Sequence, residues 1–158
     1  MRLAIPIALL LAAALPAIPS MAWAQAAKMD MVTGSGQVKW APAPPSLPKG
    51  AMIAVISGDP AKDGPYVVRL KLPANYTVPA HRHPTVENIT VMSGSFHVGM
   101  GTKRDVKKAM SFGSGGFVSL PARTDLYVWT TKATVLQVHG TGPLAAQYVN
   151  LADDPSKQ

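Results

Sequence analysis

Residues 81–94 read HRHPTVENITVMSG. His81 and His83 are two apart, so on a strand their side chains leave the same face, with Cα atoms about 6.6 Å apart. Two imidazoles at that spacing can tilt onto one ion held at ~2.1 Å from each nitrogen. Glu87 has the same parity, but on a straight strand it would stand about 13 Å beyond His83. Pro84 lacks a backbone donor and interrupts a ladder. A turn at Pro84-Thr85 therefore returns Glu87 on the neighbouring strand, beside both histidines. Gly94 then permits the sharp turn that ends that second strand. Two neutral imidazoles and one carboxylate form a three-ligand set that leaves coordination positions open for water, O₂ or substrate. Iron, manganese, zinc and nickel all suit it, and nothing in the spacing chooses among them. The competing reading makes His81 and His83 barrel-mouth or surface histidines and Glu87 a solvated charge. Against it, the window holds two of the chain's four histidines and its sole glutamate.

The surroundings repeat the same local grammar. Short strand-like runs cover 51–56, 66–72, 76–83, 86–92, 95–100, 116–120, 126–131, 134–139 and 147–151, punctuated by glycine, proline and aspartate. No window carries a helical period. Short strands with turns every 8–12 residues predict an all-β sandwich or barrel. The 158 residues suit one domain, and an apolar share of 47% excludes general disorder. Cysteine is absent, which removes disulfides, thiolate metal sites and a cysteine nucleophile together. The net charge of +7 is dispersed, apart from Lys103-Arg104-Asp105-Val106-Lys107-Lys108, which reads as a solvated loop. With no aromatic residues interleaved to stack bases, no nucleic-acid partner is expected.

The first residues form an address. Met1-Arg2 is followed by an apolar run to Leu15, by Pro16 and Pro19, and by Ala22-Trp23-Ala24 as a small-x-small cleavage site. This pattern is that of a secretory signal peptide over residues 1–24, and the run is too short for a membrane span. The mature chain then has a flexible or extended N-terminal arm over 25–50, Pro-rich from Trp40, a barrel over 51–152 and a tail over 153–158. The expected location is the periplasm or the exterior, with no membrane span after cleavage.

His81, His83, Glu87 and Gly94 resemble the first motif of the cupin superfamily, His-x-His-x₃-Glu-x₆-Gly, in which a glycine six residues earlier is here Asn75. The second motif, Gly-x₅-Pro-x-Gly-x₂-His-x₃-Asn, keeps Gly115 and Pro121, but Arg123, Leu126 and Thr130 stand where glycine, histidine and asparagine are expected. The similarity extends over residues 40–154 and is to small exported single-domain bacterial cupins. It implies a jelly-roll β-barrel with the site inside, and a divalent metal (Fe, Mn, Zn or Ni) held by His81, His83 and Glu87. It also implies a small-molecule ligand and a possible homodimer through edge strands. A metal-dependent oxidoreductase of dioxygenase type is one activity the resemblance allows. A non-catalytic ligand-binding or sensing cupin with a degenerate metal site is the alternative.

Leu126 cannot hold a metal, so three readings stay open. The three-ligand set works as it is; His139 substitutes; or the site has become a ligand pocket or a relic. Alternation sets His139 on the opposite face from Leu136 and Val138, which favours a locally bonded histidine. The same argument applies to His97, between Phe96 and Val98. Tyr127 and Trp129 read as packing residues, and Arg123 as a loop charge at the expected mouth.

Overall fold

A computed structural model describes residues 34–158. The signal peptide and the first part of the N-terminal arm lie outside the described residues. Eleven strands follow in chain order. They are β1 (Ala41–Pro42), β2 (Met52–Ser57), β3 (Gly64–Leu72), β4 (Thr77–Arg82), β5 (Glu87–Ser93) and β6 (Phe96–Met100). After them come β7 (Met110–Phe112), β8 (Phe117–Leu120), β9 (Leu126–Trp129), β10 (Thr134–Gly142) and β11 (Gln147–Tyr148). They form two antiparallel sheets, one ordered β1-β2-β3-β10-β5-β8 and the other β11-β4-β9-β6-β7. Among the described residues no helix is long and apolar enough to cross a membrane.

All nine runs read from the sequence contain a strand. β1 and β7 escape that reading because they are two and three residues long and sit in loop-like sequence. The last run shortens to two strand residues, and the chain continues into a 3₁₀ turn at Leu151–Asp153, where the Asn150 side chain accepts the Ala152 N–H at 3.1 Å.

The two sheets face each other and close over one apolar interior. Val68, Leu72, Ile89, Val91, Leu136 and Val138 come from the larger sheet, and Val78, Phe96, Val98 and Leu126 from the smaller. These residues obey the period of two, since a strand covered on one side buries every second side chain. Each fully buried aliphatic contributes roughly 1.5–3 kcal/mol. β9 departs from alternation, with all four residues buried. Its outward pair is covered by the basic loop: the Tyr127 hydroxyl donates to the Asp105 carbonyl at 3.0 Å and accepts the Asp105 N–H at 2.8 Å. The Arg104 guanidinium lies 4.3 Å from the Trp129 ring centre.

The 81–94 stretch runs differently from the hairpin its sequence suggests. β4 pairs with β9 and β11, whereas β5 pairs with β10 and β8. The break at residues 83–86 is thus a corner that carries the chain from one sheet to the other, and Glu87 does not return on a hydrogen-bonded neighbour of β4. Two bonds hold the corner. The Arg123 N–H donates to the His83 carbonyl at 2.7 Å, and the Thr85 hydroxyl donates to the Thr141 carbonyl at 2.7 Å.

Asn75 and Arg123, the two residues standing where the motifs expect glycine, both have φ 58°. They are the non-glycine residues with positive φ among those described. The backbone has kept the left-handed turns that favour glycine, and the side chains tolerate them at a cost of about 1–2 kcal/mol for a residue such as arginine. Arg123→Gly should therefore raise stability by about 0.5–1 kcal/mol after the extra freedom of glycine in the unfolded chain is set against that gain. Urea unfolding of the two proteins checks this, and an unchanged or lowered midpoint would contradict it.

Candidate metal centre

His81, near the end of β4, and His83, in the corner, bring their rings together inside the barrel. Both are buried, as is Glu87 at the start of β5. The ring planes are nearly perpendicular, at 88°, with centroids 4.8 Å apart, and the two Nε2 atoms face each other at 3.1 Å. Behind them, His81 Nδ1 lies 2.7 Å from the Pro79 carbonyl. His83 Nδ1 lies 2.8 Å from the Glu87 carboxylate and 2.9 Å from the Ala145 carbonyl.

These distances assign the tautomers. Carbonyl and carboxylate oxygens only accept, so each Nδ1 carries its proton and donates. In two neutral rings both Nε2 atoms would then present lone pairs to each other at 3.1 Å. Only a shared proton or a cation relieves that contact. At ~2.1 Å from each nitrogen, one ion would subtend an N–M–N angle of about 95°, compatible with divalent coordination. The donor set therefore fits a divalent cation on the side of the rings where both Nε2 atoms point.

Protonation is divided unequally. Burial, reinforced by the neighbouring His83, pushes the His81 pKa down to about 4 despite the Pro79 carbonyl. Burial acts on His83 in the same direction, but the Glu87 carboxylate, by hydrogen bond and by charge, and the Ala145 carbonyl carry its pKa above the ordinary value. When the pair takes up one proton, His83 is the ring that holds it, and His81 accepts the resulting hydrogen bond at Nε2.

The pair borders a cavity of about 60 Å³ with otherwise apolar walls, including Leu70, Leu72, Phe96, Leu120 and Val128. Glu87 lines it too, brought there from the opposite sheet. The three sequence-predicted residues are thus together, but Glu87 meets His83 on its Nδ1 side, away from the facing nitrogens. Among the described residues no three histidine, aspartate or glutamate side chains converge as a ready cage. A carboxylate behind a histidine fixes the ring and raises its basicity toward a metal.

The remaining candidates are separated by the sheets. Leu126 is fully buried and directly opposite His81 in register, where the resemblance expects the further histidine. His139 sits on the other face of β10 from the cavity-lining Leu136 and Val138, outside the cavity wall. His97 stacks on Trp129 at 4.9 Å, with Nδ1 2.7 Å from the Ser111 hydroxyl. Sequence reasoning passed over two residues. Tyr66 is buried at 2% exposure with an unpartnered hydroxyl, in register with Gly140, which in turn faces Glu87. Leu47, from the Pro-rich segment, lines the cavity beside the histidines. A tyrosine in an ordinary strand run and a leucine among prolines carry no signal of their own.

No protein-family model matches the chain, and no curated protein matches it by sequence. Solved structures match it in fold. The polyketide cyclase RemF from Streptomyces resistomycificus superposes with a TM-score of 0.65 at 19% identity, over 82% of this chain and 92% of that one. An RmlC-like cupin from Shewanella frigidimarina gives a TM-score of 0.54 at 12% identity, over 69% and 87%. KdgF from a Halomonas species gives 0.53 at 14% identity, over 68% and 90%.

The two histidines predict opposite pH limbs in metal-free protein. The raised pKa of His83 contributes stability that is complete below about pH 6.5 and is lost as the pH rises through the folded value. His81 acts in the other sense. Between its ordinary 6.5 and its folded value of about 4, the unfolded chain takes up a proton that the fold refuses, so stability falls as pH drops through that window. At 1.36 kcal/mol per unit this limb amounts to at most about 3 kcal/mol. Thermal unfolding in chelator should give a maximum near neutrality, and His81→Leu should flatten the acid limb. An acid limb of unchanged slope in that variant would refute the assignment.

Proposed function

On the premise that this chain has the fold of the cupin superfamily, we propose that it is an exported divalent-metal-binding cupin acting on a small molecule inside its barrel. The observation that carries the reading is the 3.1 Å approach of two Nε2 atoms whose Nδ1 protons are both committed elsewhere. His81 and His83 hold the ion, and Glu87 completes the set by supporting His83 from Nδ1. Such an ion supplies Lewis acidity or O₂ binding. The largely apolar wall limits the site to a few water molecules, and the Pro79 and Ala145 carbonyls fix the rings. Metal-dependent oxidoreductase chemistry on a compact substrate is the activity that best suits a site with two protein nitrogens and open positions. Export, read from residues 1–24, places that chemistry in the periplasm or outside the cell.

Metal analysis of the purified mature protein tests the reading. About one Fe, Mn, Zn or Ni ion per chain is expected, lost in His81→Ala. Glu87→Gln should weaken affinity by about 10–100-fold, the range for removing a carboxylate behind a metal-binding histidine. Wild-type protein that takes up none of the four ions overturns the proposal, and undiminished affinity in Glu87→Gln removes Glu87 from the site.

A second reading, a non-catalytic binding cupin, draws on Leu126, which puts a fully buried aliphatic opposite His81 where a further donor is expected. Leu126→His should then slow metal loss to a chelator several-fold. Unchanged loss would mean that position 126 does not reach the ion. Oxygen uptake with phenolic and thiol compounds separates the enzyme from the binder.

A further inference from the structure

The cavity beside the histidines holds about 60 Å³, room for a few water molecules. Small-molecule sites run from about 300 Å³ upward. Any organic ligand that reaches the rings must displace part of the wall. Most of that wall is strand, tied into the two sheets by ladder hydrogen bonds. Two lining residues lie outside the strands: His83, held in the corner by the Arg123 N–H, and Leu47, which belongs to the segment between β1 and β2. Leu47 also lines a second, outer cavity of about 290 Å³, with Pro45, Pro48, Lys49, Pro155 and Gln158. One half-buried side chain thus borders both spaces.

The segment is pinned on either side of that residue. The Tyr148 hydroxyl donates to the Ser46 carbonyl at 2.8 Å, and the Tyr76 hydroxyl donates to the Pro48 carbonyl. Both tyrosines belong to the barrel core, and the Tyr148 ring lies 5.8 Å from the His81 ring. A local turn, Leu47 N–H to the Pro44 carbonyl at 2.9 Å, aims the side chain inward. The two part-buried hydrogen bonds are each worth about 0.5–1.5 kcal/mol net, and with the half-buried packing of Leu47 on the core they are what opening the segment breaks, while the sheet ladders stay intact.

We propose that Leu47 is the gate and specificity-determining residue of the barrel site: displaced from its clamp between Tyr76 and Tyr148, it joins the inner and outer cavities into one ligand-sized pocket. The two volumes together reach the lower end of the small-molecule range. The joined pocket is walled mainly by proline rings and apolar side chains, with Lys49 and Gln158 at its outer end and Glu87 beside the imidazoles, so it takes a compact molecule with an apolar body whose polar end reaches the imidazoles. The inference rests on the histidine pair being the working site, but it needs no metal.

Diethyl pyrocarbonate, a small acylating reagent for imidazole, is the probe, applied to metal-free mature protein and read residue by residue by peptide mass spectrometry. In wild type, His81 and His83 should react at least tenfold more slowly than half-buried His139. Leu47→Ala should speed both by at least tenfold, while His97, stacked on Trp129 with its Nε2 buried, stays at its wild-type rate and reports an intact barrel. If His97 also accelerates in Leu47→Ala, the fold has loosened and the Tyr76→Phe/Tyr148→Phe variant decides: it keeps Leu47, frees both carbonyls, and should expose the pair alone. Wild-type rings that react as fast as His139 overturn the gate. So does a folded Leu47→Ala protein, or failing that the double variant, with the pair still at its wild-type rate. Because the readout is metal-free, a chain that binds no ion can still carry the gate, and one that binds an ion can still lack it.

Discussion

Two imidazole nitrogens held 3.1 Å apart in an apolar barrel cannot both present lone pairs unless a proton or a cation sits between them. This constraint organises the interior. The Pro79 carbonyl, the Ala145 carbonyl and the Glu87 carboxylate take the two Nδ1 protons, and in doing so they aim both Nε2 atoms at the same point. Each acceptor comes from a different part of the chain: β4 itself, the loop before β11, and the opposite sheet. The site is therefore a product of barrel closure. It would not survive as an isolated hairpin.

Closure depends on the corner at residues 83–86. Pro84 ends the pairing of β4, and the bonds from Arg123 and Thr85 hold the turn against the loop before β9 and the end of β10. Because the chain changes sheets there, Glu87 approaches His83 from across the interior, on the Nδ1 side. A carboxylate arriving along the same sheet would have met both rings from one side. The route of the backbone thus determines that Glu87 meets His83 at Nδ1 and not at the facing Nε2.

The departures from the cupin pattern divide by physical kind. Asn75 and Arg123 replace glycine but keep its left-handed backbone, so the turns survive the loss of the residue that favours them. Leu126 keeps the position of a histidine but not its chemistry. It is fully buried, in register with His81, and puts hydrocarbon where the pattern has a donor. The barrel tolerates all three departures because its stability comes from the alternating aliphatics of two sheets.

Much was legible in the linear chain. Short runs of apolar and β-branched residues between turn residues determine strands, whatever the partner, because local backbone preference and the period of two act over a few residues. The spacing of His81 and His83 determines that they share a face, for the same reason. Residues 110–112 and 41–42 gave no such signal, being too short to show a period. What tertiary structure alone decided lies at longer range. It set which sheet Glu87 joins, which nitrogen of His83 it meets, and that Leu47 borders the cavity. Those outcomes depend on contacts between segments 40 to 100 residues apart, such as Tyr148 with Ser46. No local propensity encodes such contacts, because they come into existence only when the two sheets close on each other.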